Sequence, residues 1–282
     1  MKDFSFVDET LDLNRAHSYR LSIQFSVNGF SFSILDLVRG KYILLNHSSF
    51  QDDQSHEQKG DKIREIIHSS PYLQAAYKDI TALIINPKSV LIPDPYFNQQ
   101  DIKTYFEFNH DLHELEELHF NHIEGIHAYS IYPLPYPVSN VLTAKYNKIR
   151  FYHQSVPIID YSMFNTRSNK THVLLSIYDG FMDIAILNQN KLFLYNSFSW
   201  STPEDILYFL LYAYKRLNLD VKENELYITD HFENTRRLEK LVKPYIRKVH
   251  FQKPPLAHTY SYTFRKDHTT AFINLFRLNL CV

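Results

Sequence analysis

The stretch LLSIYDGFMDIAILNQNKLFLYNSFSW, Leu174 to Trp200, decides the fold, because a counterpart, RLSIQFSVNGFSFSILDLVRGKYILLNHSSF, stands at Arg20 to Phe50. Each reads apolar strand, glycine turn, apolar strand, second turn, apolar strand. Each closes on a Lys and an Asn five positions apart: Lys41 and Asn46 in one, Lys191 and Asn196 in the other. The pattern predicts strands at Arg20–Val27, Phe30–Leu37 and Tyr42–Asn46, and again at Val173–Tyr178, Phe181–Leu187 and Leu192–Asn196. Asn28-Gly29 and Arg39-Gly40 supply the first pair of turns, since Asn and Gly tolerate the positive φ that tight hairpins need.

Outward from the first trio, a helix is expected over Lys59–Ser69, with Ile63, Ile66 and Ile67 on one face and Pro71 stopping it. A buried strand follows near Ala82–Ile85, with a hairpin partner in INPKSVLIP. Next come a short helix in DPYFNQQDIKTYFEF, two strands LEELHFN and IHAYSIYPL paired around Glu124-Gly125, and a helix in PVSNVLTAKYN. A connector, Phe151–Lys170, leads to the second trio. There TPEDILYFLLYAYKRLN reads as a helix with Thr202 as N-cap, Pro203 in its first turn and Asp205 completing a capping box. Strand ELYIT, a helix at Asn234–Val242, strand KVHF and a last helix through TAFINLFRLNL complete the chain.

Each half, 1–150 and 151–282, thus reads β-β-β-α-β-α-β-α, which builds a mixed sheet with helices on both faces. This α/β order resembles the ribonuclease H-like fold, and two copies in tandem resemble the actin-like fold of the actin, sugar-kinase and Hsp70 superfamily. The repeat is then an internal duplication.

Composition limits the function classes. Hydrophobic residues at 44% can fill a core, and a net charge of −1 gives no overall attraction to nucleic acid or acidic membranes. The single cysteine, Cys281, rules out an intramolecular disulfide and a cysteine-based zinc site. The opening MKDFSFVDETLDLNR has no signal-peptide pattern and no long apolar run follows, so a cytoplasmic protein is expected.

The stretches YNSFSWSTPEDILYFLLYAYKRL, IINPKSVLIPDPYFN and TAFINLFRLNLC resemble a bacterial family, domain-of-unknown-function family 3822, over nearly the whole chain. That family looks like a divergent actin-like member, nearest to pilus-assembly and secretion scaffolds. In active members of the superfamily, each first hairpin carries Asp-x-Gly with Ser or Thr to cradle phosphates, and a later glycine turn holds adenosine. The resemblance puts Asn28 and Gly29, Asp179 and Gly180, and Asp230 at these positions. Asn28 then replaces a carboxylate, Asp179-Gly180 lacks the following hydroxyl, and Asp230-His231-Phe232-Glu233 has no glycine. Phosphate loops need bare backbone. Four of the five glycines are taken up by turns between strands, and Gly60 is read as preceding a helix. The expectation is a degenerate member with no cofactor.

Other constellations add little chemistry. HDLHELEELHFNHIEGIH holds His110, His113, His119, His122 and His127, but strand alternation sends neighbours to opposite faces, so no metal site is expected. A two-metal nuclease needs converging carboxylates, and RLSIQFSV has none. Arg236, Arg237 and Lys240 open a basic segment that contrasts with the acidic stretch from Asp101 to Glu124. The helix after Trp200 runs from Ile206 to Tyr214 without a charge, so it is expected to be buried all round, with Tyr208, Leu211 or Tyr212 at a domain or subunit boundary. The leading expectation is a non-catalytic scaffold acting through a protein partner or self-association. The alternatives are a nucleotide-dependent enzyme using the hairpin residues and a nucleic-acid-associated protein using the segment near Arg236.

Overall fold

The computed structural model describes residues 2–51, 54–165, 170–188, 191–230 and 235–281. The chain divides into two compact units, one of Met1–His122, Ala128–Gln154 and Pro255–Arg265, the other of Ile123–His127, Ser155–Pro254 and Lys266–Val282.

The first unit contains strands β1 (Phe4–Val7), β2 (Tyr19–Ser26), β3 (Gly29–Asp36), β4 (Lys41–Ser49), β5 (Asp79–Ile84), β6 (Val90–Pro93), β7 (Glu116–Ile123, all but its last residue), β8 (Ala128–Pro135) and β9 (Arg150–His153). Its helices are α1 (His56–Ser69), α2 (Pro71–Gln74), α3 (Ile102–Glu107) and α4 (Tyr136–Lys145). The main sheet runs β1-β4-β3-β2-β5-β9, and β6-β8-β7 form a separate small sheet. Apolar residues of β2 to β5 pack against Ile63 and Ile67 of α1 and Val138 and Leu142 of α4 in one core. Ser55 caps α1 and forms a capping box with Gln58, so the helix starts a turn earlier than its apolar pattern suggests. Gly60 therefore lies inside α1, where an added Cβ would sit 3.0 Å from the Pro137 carbonyl oxygen at the start of α4.

The second unit contains α5 (Ser155–Asn165), β10 (Thr171–Ile177), β11 (Phe181–Asn188), β12 (Lys191–Ser199), α6 (Pro203–Arg216), β13 (Glu225–Asp230), α7 (Thr235–Val242), β14 (Val249–Phe251), α8 (Lys266–Ala271) and α9 (Ile273–Cys281). Its sheet runs β12-β11-β10-β13-β14. A two-residue strand, β15 (Thr259–Tyr260), returns to the first unit and pairs with β4.

The shared order β4-β3-β2-β5-β9 and β12-β11-β10-β13-β14 gives the two halves one topology. In both, the first three strands are antiparallel and the next two add in parallel. Even the irregularity matches: the register shifts between Ile34 and Leu35 in one hairpin and between Ile186 and Leu187 in the other. The actin-like, ribonuclease H-like architecture read from the two trios is the architecture observed.

Several local expectations are corrected. The connector at 151–170 contains β9, the last strand of the first sheet, and α5; RFYH is too short to announce a strand by periodicity. The expected hairpin partner of β5 pairs instead with β8, with Val90 opposite Ile131. The last helix is broken into α8 and α9. Helix α6 has its capping box of Thr202 and Asp205, but it is not buried all round. Ile206, Leu210, Ala213 and Tyr214 face the core, whereas Tyr208 is 63% and Tyr212 48% exposed. Tyrosine tolerates both environments, so a charge-free run overstated the buried face.

Candidate functional site

The two first hairpins were the candidate phosphate turns, and each is shaped by its own unit. In the first, the Ser26 hydroxyl donates to the Gly29 carbonyl at 3.2 Å and the Phe50 amide donates to the Asn28 carbonyl at 2.9 Å. A Cβ on Gly29 would lie 2.5 Å from the His47 ring and 2.9 Å from the Ser48 carbonyl oxygen. The glycine therefore makes room for His47, whose Nδ1 is 2.8 Å from the Ser31 hydroxyl.

In the second hairpin the glycine serves its conformation instead. Gly180 has φ +76°, and nothing lies within 4 Å of where its Cβ would stand. The Tyr178 amide donates to the Phe181 carbonyl at 2.9 Å, and the Trp200 indole N–H lies 3.0 Å from both the Tyr178 and Phe181 carbonyl oxygens. The Phe181 ring stacks on Tyr178 at 4.7 Å, and Asn274 donates to the Tyr178 hydroxyl at 2.8 Å. Burial raises the Tyr178 hydroxyl well above its ordinary range, so it stays protonated. Asp179 and Gly180 are exposed at the tip.

The hydrogen bonds fix which residues correspond. Phe50 binds the Asn28 carbonyl as Trp200 binds the Gly180 carbonyl, so Asn28 matches Gly180 and Val27 matches Asp179. The expectation that Asn28 stands at the carboxylate position is one residue out; exposed Val27 stands there. Room for His47 puts the first turn's glycine one position later, inside β3. By the same correspondence Gly29 matches Phe181, so neither turn carries a hydroxyl side chain at the position after Asn28 and Gly180. At the third position Asp230 ends β13 in register with Ile177. His231, Phe232 and Glu233 lie outside the described residues.

The histidine run lies around β7 and β8, adjacent strands as the alternation implied. His119 meets Glu117 at 2.8 Å, His122 meets Asp94 at 3.0 Å, and His110 reaches the Ser89 carbonyl at 3.2 Å. Among the described residues no three His, Cys, Asp or Glu side chains gather as a metal set.

Other titratable groups are engaged by their surroundings. Burial pushes the Cys281 thiol up to about 12, so little thiolate exists at neutral pH. Burial pushes fully enclosed His153 down to about 4, and its Nε2 lies 2.8 Å from the Asn86 carbonyl oxygen. Neutral His153 is a donor locked to backbone, not an accessible base. Asp183, buried in β11, accepts from the Ser197 hydroxyl at 2.5 Å and the Tyr195 hydroxyl at 3.2 Å.

One charge cluster escaped the sequence because it spans three strands. Asp79 of β5 holds Arg20 at 3.1 Å and Arg150 at 2.9 Å. By register its counterpart is Glu225, between His172 on β10 and His250 on β14. The Tyr227 hydroxyl, 2.7 Å away, is the largest influence holding Glu225 below the usual carboxylate range, and His250 approaches to 3.3 Å. Matched charges at non-adjacent sequence positions become visible only when strand register is known.

The proposed contact residues lie on the second unit's surface. Tyr208 and Tyr212 stack at 6.2 Å with exposed faces, and Leu211 is half-buried against the core. Arg237 and Lys240 are exposed on α7, and Lys243 just beyond it pairs with Glu239 at 2.6 Å. The backbone of Arg236 belongs to α7, and its side chain is outside the description.

Among solved structures, a Bacteroides thetaiotaomicron protein with an actin-like ATPase fold and unknown function matches with TM-score 0.79 at 26% identity, over 86% of this chain and 94% of that one. A PilM–PilN type IV pilus biogenesis complex matches with TM-score 0.61 at 8% identity, over 93% and 97%. Ethanolamine utilization protein EutJ from Carboxydothermus hydrogenoformans matches with TM-score 0.52 at 9% identity, over 96% and 92%. The last two likenesses show the fold alone. No curated protein matches in sequence. The model of the family described as protein of unknown function (DUF3822) matches residues 8–249, and with the shared actin-like fold this establishes that the chain belongs to that family.

Proposed function

We propose that this protein is a non-catalytic, actin-like scaffold that works through protein contacts in the cytoplasm and does not use a nucleotide. The observation that carries the reading is the pair of candidate phosphate turns. One glycine is filled in by the His47 ring, and the other turn is braced by the Trp200 indole and followed by Phe181. A phosphate site needs several backbone N–H groups turned to one point, with a hydroxyl or cation beside them. Val27 in place of a carboxylate removes the group that would orient a metal at the first turn.

Among the described residues no helix is long and apolar enough to cross a membrane. The PilM–PilN structure is, by its description, a complex of pilus biogenesis, and it lends the scaffold reading an analogy at the level of fold. Titration calorimetry with Mg-ATP tests the proposal. The expected result is no heat of binding; a dissociation constant in the micromolar range overturns it.

A further inference from the structure

The two corresponding outer strands, β4 and β12, differ in what covers them. Along β4, β1 pairs antiparallel with Leu44 to His47, and β15 pairs with Lys41 and Tyr42. The bulged residue between them is also used, because the Asp8 amide donates to the Ile43 carbonyl at 2.8 Å. Buried Asp8 ties this cover down, with the Lys41 ammonium at 2.7 Å and the Thr10 hydroxyl at 2.6 Å. Tyr42 to Leu45 are wholly buried.

Strand β12 ends its sheet with no strand beyond it among the described residues. No residue from Lys191 to Ser199 is fully buried, and Phe193 is 55% exposed. Natural edge strands are blunted by shortness, charge, proline or a bulge, because unpaired N–H and C=O groups recruit other strands. The opposite edge obeys this rule, since β14 has 3 residues. By contrast β12 has 9 residues, no proline and one charge, Lys191, at its first position; its one irregularity, the bulge at Phe193, matches the bulge at Ile43 of β4, which is paired on either side. An aromatic path continues from it, as Phe198 stacks on Phe209 at 4.7 Å and Phe209 meets Tyr208 at 5.2 Å.

We propose that a second copy of this chain covers the edge, with β12 pairing antiparallel to its own counterpart about a two-fold axis. The inference rests on the protein-contact half of the reading above, not on the absence of nucleotide. Three features favour a second copy over a foreign strand. A two-fold axis makes the pairing antiparallel, the sense in which β1 covers β4. The sequence LFLYNSFS supplies the mixture of aromatic and small polar residues seen in the FSFV of β1, and antiparallel pairing keeps the two Lys191 side chains at opposite ends. Helix α6 has Glu204 and Asp205 in its first turn and Lys215 and Arg216 in its last, so the same axis runs the two helices antiparallel and sets acid against base.

The test is sedimentation velocity of the full chain at about 10–100 μM, with hydrogen exchange across Leu194–Ser197 over the same range. A dimer is expected, with protection of β12 that rises with concentration. Phe193→Lys and, independently, Asn196→Lys, both at exposed positions, should weaken the dimer about a hundredfold with melting of the monomer unchanged. A monomer with flat exchange, a dimer indifferent to both variants, or protection of β12 only when a foreign protein is added would each overturn the proposal. Nucleotide binding is scored separately. A monomer that ignores Mg-ATP contradicts only the pairing, and a dimer that binds it contradicts only the nucleotide-free reading.

Discussion

The two halves have one strand order and one bulge, yet their corresponding turns and edges are finished in different ways. Phe50 is buried and packs its ring near Phe25, whereas its counterpart Trp200 is half-buried and reaches two carbonyls of the adjacent turn. Gly29 is required by space and Gly180 by backbone angle. β4 is covered by β1 and β15, whereas β12 ends its sheet among the described residues. A duplicated topology therefore fixes where turns and edges fall. The side chains then decide whether a turn remains open to ligand and whether an edge remains open to another strand.

The largest expected effect is at Trp200. Trp200→Ala should cost about 3 kcal/mol, from lost packing and two unmet carbonyls. Trp200→Phe, which copies the other half, should recover most of that and cost about 1 kcal/mol. Equal losses in urea denaturation would mean the indole N–H is the whole of its role, and the two halves would differ more deeply than the packing implies.

Next come the paired glycines. Gly29→Ala forces a methyl into His47 and the Ser48 carbonyl and should cost about 2–3 kcal/mol. Gly180→Ala meets open space and only the strain of positive φ, about 1 kcal/mol. Reversal of that order in thermal melting would contradict the assignment of space to one and conformation to the other.

A smaller, pH-dependent effect probes the covered edge. Burial works to raise the Asp8 carboxyl, but hydrogen bonds from Lys41, Ser261 and Thr10 outweigh it and hold it well below the usual range. A carboxyl depressed in the folded state contributes stability that is fully present above its unfolded value near 4 and is lost as pH falls through the folded value. Asp8→Asn should therefore cost about 2 kcal/mol at pH 7, with the gap to the native chain narrowing below about pH 4. An unchanged gap at pH 3 would mean that ionisation of Asp8 does not secure β1.

Much of the fold was legible. The glycine turns and the Lys–Asn spacing located both trios, and Thr202-Pro203 with Asp205 located α6. β9 was hidden because four residues carry no period, and β15 because it lies far along the chain from the strand it joins. The turns could be judged from missing hydroxyls, but the one-residue offset between Asn28 and Gly180 needed the Phe50 and Trp200 hydrogen bonds. The exposed face of α6 was misread because Tyr208 and Tyr212 count as apolar while their hydroxyls accept water.

The most direct test of the central claim is hydrogen exchange at the two hairpins, Ser26–Phe30 and Tyr178–Phe181, with and without millimolar Mg-ATP. In a nucleotide-using member, phosphates bind turn amides, so ligand slows their exchange. The account predicts identical exchange at both turns in the two conditions. Protection that appears at either turn, and is lost with adenosine in place of ATP, would contradict it.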